Sequence, residues 1–315
     1  MSDISQVAHA RSTSIRRVFA WAVFPVVIGG ALALAIGLME RGVHPLLAFA
    51  AAQLPAFGIV IAFERIFPYQ EGWNRSRGDV RVDASHLVTI TVVGALLQPG
   101  INALGAGLGA WLSGGVGLGL WPTHWPLAPQ LALALVIGEL FQYWVHRLQH
   151  EREFLWRFHA THHSAPRLYW LNASRFHFVD IALNNAAAFV PLVALGAGIE
   201  IFALWNLFAA IHGIFQHANL ELRLGPLNWI FSMAELHRWH HSRLVEESNR
   251  NYGQNLILWD IAFGTRYLPR DRLPPVDIGI AGLSAFPMTW WAQITSPLHW
   301  RQITRDSQRA PAAGA

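Results

Sequence analysis

The chain alternates long apolar runs with short polar segments that are rich in arginine. A helix needs about 20 apolar residues to cross the hydrocarbon core of a bilayer. Four runs meet or approach that length, and we predict one membrane-spanning helix in each. They cover residues 18–38, 46–63, 86–120 and 128–145. Glycines and Pro99 interrupt the third run, so we predict one crossing there with a loose continuation near the far surface.

Two further apolar runs, 181–194 and 201–214, are separated by Gly196 and Gly198. Each is shorter than a full crossing requires, so we predict a re-entrant hairpin, with two full spans as the alternative. The pattern as a whole predicts an all-α fold: a polytopic transmembrane helical bundle of about four full spans plus this hairpin.

Composition strengthens the membrane prediction, because 53% of the residues are hydrophobic and only 13% are charged. All 23 basic residues are arginine, and they flank the apolar runs instead of forming a basic stripe with exposed aromatics, which argues against nucleic-acid binding. Cysteine is absent, so disulfides, thiolate metal sites and cysteine nucleophiles are excluded. The first apolar run exceeds the hydrophobic region of a typical signal peptide, so we predict that it is retained.

Arginine is distributed unequally between the two sides of the predicted bundle. The segments 64–85 and 146–178 hold nine arginines, whereas the opposite loops offer only Arg41. Cytoplasmic loops carry an excess of basic residues, so we predict that the arginine-rich segments face the cytoplasm. We therefore expect a multi-pass integral membrane protein, in the inner membrane of a bacterium, with its polar cap on the cytoplasmic side.

Ten of the 16 histidines fall in two groups within this cap. Residues three or four apart share one face of a helix, so the patterns HxxxH, HxxHH and HxxHH each predict a clamp for a metal ion. Neutral imidazole binds iron, zinc and copper well, and ten imidazoles exceed what one ion accepts, so we predict two ions with about five ligands each. The predicted metal ligands are His146, His150, His159, His162, His163, His212, His217, His237, His240 and His241.

Two of these ligands are less well placed by spacing. His212 and His217 lie about 140° apart on a regular helix, so both can be ligands only if the helix contains a π-bulge or ends between them. His217 is the better candidate. His177 lies one helical turn before Asp180, which is the spacing of a histidine oriented by a carboxylate, although a surface position fits equally well.

Two buried-region carboxylates are the catalytic candidates. Asp180 could orient a ligand histidine. Glu139 lies seven residues before His146 on the same helix face, where it could orient a ligand or carry protons. The alternative is a shallow position from which Glu139 reaches Arg147 or water.

Two other functions use clustered histidines. A zinc-dependent hydrolase would have fewer ligands and a nearby catalytic carboxylate, with Glu235 and Glu139 as the candidates. A metal or haem transporter would spread its histidines across the membrane thickness. We predict no site for an organic cofactor.

The ordered histidine boxes resemble those of the fatty acid hydroxylase and sterol desaturase superfamily. The sequence around the boxes is also similar to that of the superfamily. Phe215-Gln-His217 precedes the last box, Asn251-Tyr252-Gly253 follows it, and the WDxxFGT signature begins at Trp259. The resemblance covers about residues 130–270.

This resemblance implies two non-haem iron ions, which use O2 and two electrons to hydroxylate or desaturate a membrane lipid. The eight histidines of the three boxes carry over as iron ligands, with His217 and His212 as further candidates. Some members contain a fused haem-binding electron-transfer domain with a His-Pro-Gly-Gly box, which this chain lacks. We therefore expect an external electron donor, a ferredoxin or cytochrome with its reductase.

We predict four regions: an N-terminal cytoplasmic tail (1–17), an N-terminal transmembrane region (18–127), a histidine-box catalytic region (128–270) and a C-terminal interfacial tail (271–315). The sequence leaves open which lipid is oxidised. It also leaves open whether the product is hydroxylated or desaturated, because both reactions begin by removing hydrogen from the same carbon.

Overall fold

A computed structural model describes residues 14–114 and 119–309. Within those ranges the chain forms helices, three short 3₁₀ turns and no β-strand, which confirms the all-α prediction. The helices are α1 (Ser14–Glu40), α2 (Pro45–Ile66), α3 (Val80–Leu112), α4 (Leu127–Glu151), α5 (Glu153–His163), α6 (Phe178–Leu195), α7 (Ile199–His217), α8 (Ala234–His240), α9 (Val245–Ser248), α10 (Leu258–Ala262), α11 (Trp290–Thr295) and α12 (Trp300–Arg309).

In the part of the chain that the structure describes, six helices are long and apolar enough to cross a membrane: α1, α2, α3, α4, α6 and α7. The first, second and fourth predicted runs lie within α1, α2 and α4, and α3 covers residues 86–112 of the third run, with Pro99 inside it. Residues 115–118 of the third predicted run lie outside the described residues, as do most of the predicted N-terminal tail and the last six residues.

The two shorter runs belong to helices that extend beyond them. At a rise of 1.5 Å per residue, the 18 residues of α6 and the 19 of α7 correspond to roughly 27 Å each, close to the thickness of a hydrocarbon core. Both are therefore candidates for full crossings, and the re-entrant hairpin stays a prediction. Large apolar side chains on the outside of the bundle, such as Leu54 and Leu96, are more than two-thirds exposed, as expected for a surface that faces lipid.

The helices α3 and α6 pack closely against each other. A Cβ atom on Gly105 would lie 2.6 Å from the Cβ of Val193, and one on Gly109 would lie 2.7 Å from the carbonyl oxygen of Ala194. Glycines four residues apart thus form a flat stripe along which α6 packs, as small residues do in many membrane helix pairs.

Ends of the spanning helices meet at one end of the bundle, where the cap begins. The backbone N–H of Tyr69, just after α2, donates to the carbonyl of Asn219, just after α7. The start of α3 is joined to the segment before α6 by a buried ion pair, Asp83 with Arg175 at 2.5 Å. This end is covered by α5 and α8–α12. The polar groups of the cap are thus held against the apolar bundle through paired, buried side chains.

Candidate metal centre

Nine of the ten predicted histidines converge in two adjoining groups. In each group, one ring nitrogen of every histidine lies within 4.8 Å of the corresponding nitrogens of the others. The first group is His146, His150, His159, His163 and His240; the second is His162, His217, His237 and His241. The rings of His163 and His241, from different groups, stack with centroids 4.5 Å apart. Eight of the nine are buried, and His150 is half-buried.

The structure divides each HxxHH box between the groups instead of keeping its three imidazoles together. His159 and His163 on α5 lie four residues apart and enter the first group, whereas His162 points into the second. The box at α8 is divided in the opposite way, because His237 and His241 enter the second group and His240 enters the first. Adjacent residues on a helix point about 100° apart, so one box can serve two neighbouring ions.

Six of the nine rings are fixed by an oxygen acceptor outside the groups. In each, Nδ1–H donates to that oxygen, so Nε2 carries the lone pair and faces the group. The pairs are His146 with the Tyr252 carbonyl (2.6 Å), His150 with Asn249 Oδ1 (3.2 Å), His159 with Asp180 Oδ2 (3.1 Å), His162 with the Arg175 carbonyl (3.3 Å), His217 with Asn172 Oδ1 (2.9 Å) and His240 with the Arg250 carbonyl (2.8 Å).

The contact between His146 and His159 tests whether these residues fit a metal. Their Nε2 atoms lie 3.1 Å apart, and both rings already donate Nδ1–H elsewhere. Two buried lone pairs at this distance repel unless a cation or an extra proton lies between them. Burial, reinforced by the neighbouring imidazoles, holds the pKa of His159 well below its usual value, which disfavours the proton. The arrangement therefore fits a metal cation.

Burial has the same effect on the pKa of five other grouped histidines in the cap: His162, His163, His237, His240 and His241. Burial holds the pKa of each well below the usual range, with the neighbouring imidazoles adding to the shift, so these rings are neutral at physiological pH. Among the described residues, the buried Nε2 atoms of His150, His163 and His240 have no hydrogen-bond partner. Neutral, unpaired imidazole nitrogens are the form of histidine that binds transition metals.

His212 lies apart from both groups. It is fully buried, and its ring packs against Phe24 and Phe208, with centroids 5.8 Å and 5.5 Å away. The helix around it is regular from Ile199 to His217, so the π-bulge that would let both histidines serve as ligands is not present in α7. His212 therefore faces α1, about 140° away from His217.

Asp180 contacts a predicted ligand, His159, and not His177, with which its spacing predicted a pair. Its Oδ2 accepts the Nδ1–H of His159, and its Oδ1 accepts the side-chain N–H of Gln149. His177 is placed differently: it caps the N-terminus of α6 by accepting the Val179 N–H, and its other nitrogen donates to the Ile294 carbonyl. It is thus a buried structural residue, outside both groups.

Glu139 is fully buried in α4, and its hydrogen bonds go to neither group of histidines. Its two oxygens accept the backbone N–H of Gln254 and both the backbone and side-chain N–H of Asn255. It reaches neither Arg147 nor a ligand. It holds the turn that directly follows Tyr252, whose carbonyl fixes His146.

The segments that carry the NYG and WDxxFGT signatures build this turn together. Asn251 takes a positive φ of 53°, and a Cβ on Gly253 would lie 2.2 Å from the carbonyl oxygen of Leu256. Asp260 accepts the backbone N–H groups of Tyr252 and Gly253, at 2.8 Å and 2.7 Å, as well as the hydroxyl of Thr265. The two signatures thus orient the carbonyl that receives His146.

Sequence reasoning missed most of the groups that orient the ligands. Three are backbone carbonyls, which no residue type reveals, and two are the asparagines Asn172 and Asn249. The NYG and WDxxFGT signatures were the available signal for the Tyr252 carbonyl. No comparable signal marks Asn172 or Arg175.

Comparisons with known proteins bear on the same part of the chain. The family model described as fatty acid hydroxylase matches residues 131–265. The chain is 37% identical over 285 residues to the ornithine lipid hydroxylase OlsE of Rhizobium tropici, and the match covers 87% of this chain and 82% of that protein. No solved structure matches the chain significantly.

Other relatives match about half of the chain. The alkylglycerol monooxygenase of Homo sapiens is 32% identical over 161 residues, which cover 48% of this chain and 36% of that protein. Methylsterol monooxygenase 1 of Rattus norvegicus is 25% identical over 153 residues, which cover 46% and 51% respectively. The names of all three relatives describe lipid oxidation.

Proposed function

Because the chain belongs to the fatty acid hydroxylase family, we propose that it is an integral-membrane oxygenase that uses two iron ions to hydroxylate a membrane lipid. The observation that carries this proposal is the pair of adjoining groups, five and four histidines, that consist of histidine alone among the described residues. Bound iron would supply the activation of O2 that oxidation of an unactivated C–H bond requires.

We propose the nine grouped histidines as the iron ligands, and we do not include His212. The five imidazoles of the first group are more than tetrahedral zinc accepts, and they leave one position open on a six-coordinate ion. The four of the second group leave two positions open on such an ion. Neutral donors suit reduction of the site, because no anionic ligand opposes the gain of electrons. In six of the nine, the residues that hold Nδ1 keep Nε2 aimed at its group through the reaction.

The chain also limits access of water to the site. His162 stacks on Phe176 with centroids 4.2 Å apart, and Trp156 lies 5.3 Å from His150 and 5.4 Å from His163. Apolar walls around a reactive centre protect it from side reactions with solvent. We propose that a lipid chain enters from the bilayer side of these walls.

The two alternative functions find less support. A hydrolase needs a carboxylate beside the metal, but Glu235 accepts the backbone N–H of Leu224 and the side-chain N–H of Asn228, and Glu139 holds the turn after Tyr252. A transporter would place histidines through the membrane, whereas both groups lie at the cap end of the bundle. Catalytic oxidation explains the arrangement better than either.

Hydroxylation is the better supported outcome, because the named relatives are hydroxylases and monooxygenases. An ornithine lipid is the first substrate to test, since the match covers 82% of that relative, against 36% and 51% of the other two. We also propose that the cap faces the cytoplasm, on the arginine bias of its segments, and that a separate ferredoxin or cytochrome delivers the electrons.

Lipid profiling tests this function. The chain, with a ferredoxin and its reductase, would be expressed in a host that contains ornithine lipids, beside a His240→Ala variant. We expect lipids heavier by one oxygen atom only with the unchanged chain and only in the presence of O2. Lipids lighter by two hydrogens would show that the chain desaturates its substrate and does not hydroxylate it. An unchanged lipid profile across ornithine lipids, alkylglycerols and sterols would contradict the proposal.

A further inference from the structure

A cationic groove lies on the outer side of the cap, between α5 and the start of α12. Its volume is about 420 Å³, and the residues that line it include Arg157, Arg301 and Arg305 together with His299. The groove is distinct from the metal centre, because α5 directs His159, His162 and His163 away from it, into the buried groups.

The positive charge in the groove is only partly balanced. Arg301 and Arg305 are exposed and lie four residues apart on α12, a spacing at which like charges repel. Arg157 pairs with Glu153, whose side chain is 69% exposed, yet its Nε is buried and has no hydrogen-bond partner among the described residues. Three guanidinium groups that share one groove are suited to a phosphate, which accepts several of their hydrogen bonds at once.

Exposed apolar side chains lie in and near the groove as well. Leu298, which lines the groove, is 84% exposed, and Phe154 and Trp291 are each 65% exposed. Arginines at the level of phosphates, with leucine and aromatic side chains beside them, are typical of a helix that lies in the membrane interface. Leu298 would be costly to expose in water, whereas it would be buried among lipid chains.

We propose that the groove binds the headgroup phosphate of an anionic phospholipid and thereby docks the cap on the bilayer surface. Trp300 is buried against Trp156 and Ala160 of α5, so the position of α12 is transmitted to the helix that carries three of the histidines. A lipid held here would fix the height of α5 relative to the acyl chains. The inference needs only the membrane location of the chain and does not depend on its oxygenase activity.

The test measures lipid retention by the full chain purified in detergent. After delipidation, the protein is incubated with phosphatidylglycerol or phosphatidylcholine, and native mass spectrometry counts the bound lipids. The test variant is R157Q/R301Q/R305Q. The matched control, R75Q/R81Q/R270Q, removes the same charge from exposed arginines outside the groove. Metal content and melting temperature report whether each variant is folded, and R301Q/R305Q, which changes only exposed side chains, replaces the triple variant if that one fails to fold.

We expect the unchanged chain and the control to retain phosphatidylglycerol at least tenfold better than phosphatidylcholine, and we expect the groove variant to lose this preference. Equal retention by the groove variant would overturn the proposal. So would displacement of the lipid by inorganic phosphate, which would identify a site for free phosphate. A groove variant with unchanged lipid retention but slower reduction by an acidic ferredoxin would assign the groove to a protein partner and would also overturn it.

Discussion

The Nδ1 atom of His146 lies 2.6 Å from the carbonyl oxygen of Tyr252, which joins the first histidine box to a turn 106 residues later in the chain. That turn is held from two sides. Asp260 accepts the N–H groups of Tyr252 and Gly253, and Glu139 accepts those of Gln254 and Asn255. The two carboxylates thus act on the first histidine group through the backbone that orients His146.

Replacing Glu139 by glutamine should loosen this turn. The new amide N–H₂ would face backbone N–H donors, so at least one buried donor would lose its acceptor, at a cost of about 1–3 kcal/mol. We expect a lower melting temperature and weaker metal binding by the first group, with the second group less affected. Titration of metal into the metal-free protein would measure the two affinities.

The matched control for Glu139→Gln is Glu40→Gln, which makes the same change at the exposed end of α1. The control should leave both affinities unchanged. If Glu139→Gln binds metal and forms product as the unchanged chain does, Glu139 has no part in positioning His146.

Asp180→Asn should weaken metal binding by the ring of His159. An asparagine offers one acceptor oxygen, so either His159 or Gln149 would face its N–H₂ group. Loss of the partner that orients a ligand histidine typically costs about 10–100-fold in metal affinity or activity. The exposed Asp277, changed to asparagine, is the control for loss of a carboxylate. If the metal affinity of Asp180→Asn stays within twofold of that of the unchanged chain, Asp180 does not orient His159 for metal binding.

Much of the fold followed from the sequence, because helix spans depend on local hydropathy. The lengths of α6 and α7 were underestimated because polar residues at their cap ends, such as Asp180 and His217, are helical and buried in the cap. The division of each HxxHH box was not foreseen. Local spacing states which imidazoles share a helix face, whereas only the crossing of α5 and α8 decides which group each imidazole enters.

His212 and His217 provide a matched pair on one helix. His217→Phe removes a nitrogen from the second group, so we expect loss of one metal ion and at least a hundredfold loss of product formation. His212→Phe places a phenyl ring among Phe24, Phe208 and Phe231, so both metal ions and the activity should be retained. Metal analysis of the two purified variants checks this. Equal metal loss in both would return His212 to the set of ligands.

Stability should depend on pH in a defined direction. Burial lowers the folded-state pKa of the cap histidines below 6.5, so above that pH both the folded and the unfolded chain keep them neutral. Below pH 6.5 the unfolded chain takes up protons first, and the free energy of unfolding of the metal-free protein should fall by about 1.4 kcal/mol per pH unit for each such histidine. Denaturant titrations of metal-free protein on either side of pH 6.5 measure this slope. A stability that rises on acidification would show that these rings are protonated in the folded state.

The number and kind of metal ions in the purified full chain test the central claim most directly. Metal analysis should find close to two irons per chain, and about one after removal of a ligand nitrogen from either group by His150→Ala or His217→Phe. A content near one zinc per chain, with no uptake of iron when the metal-free protein is reconstituted, would contradict the account.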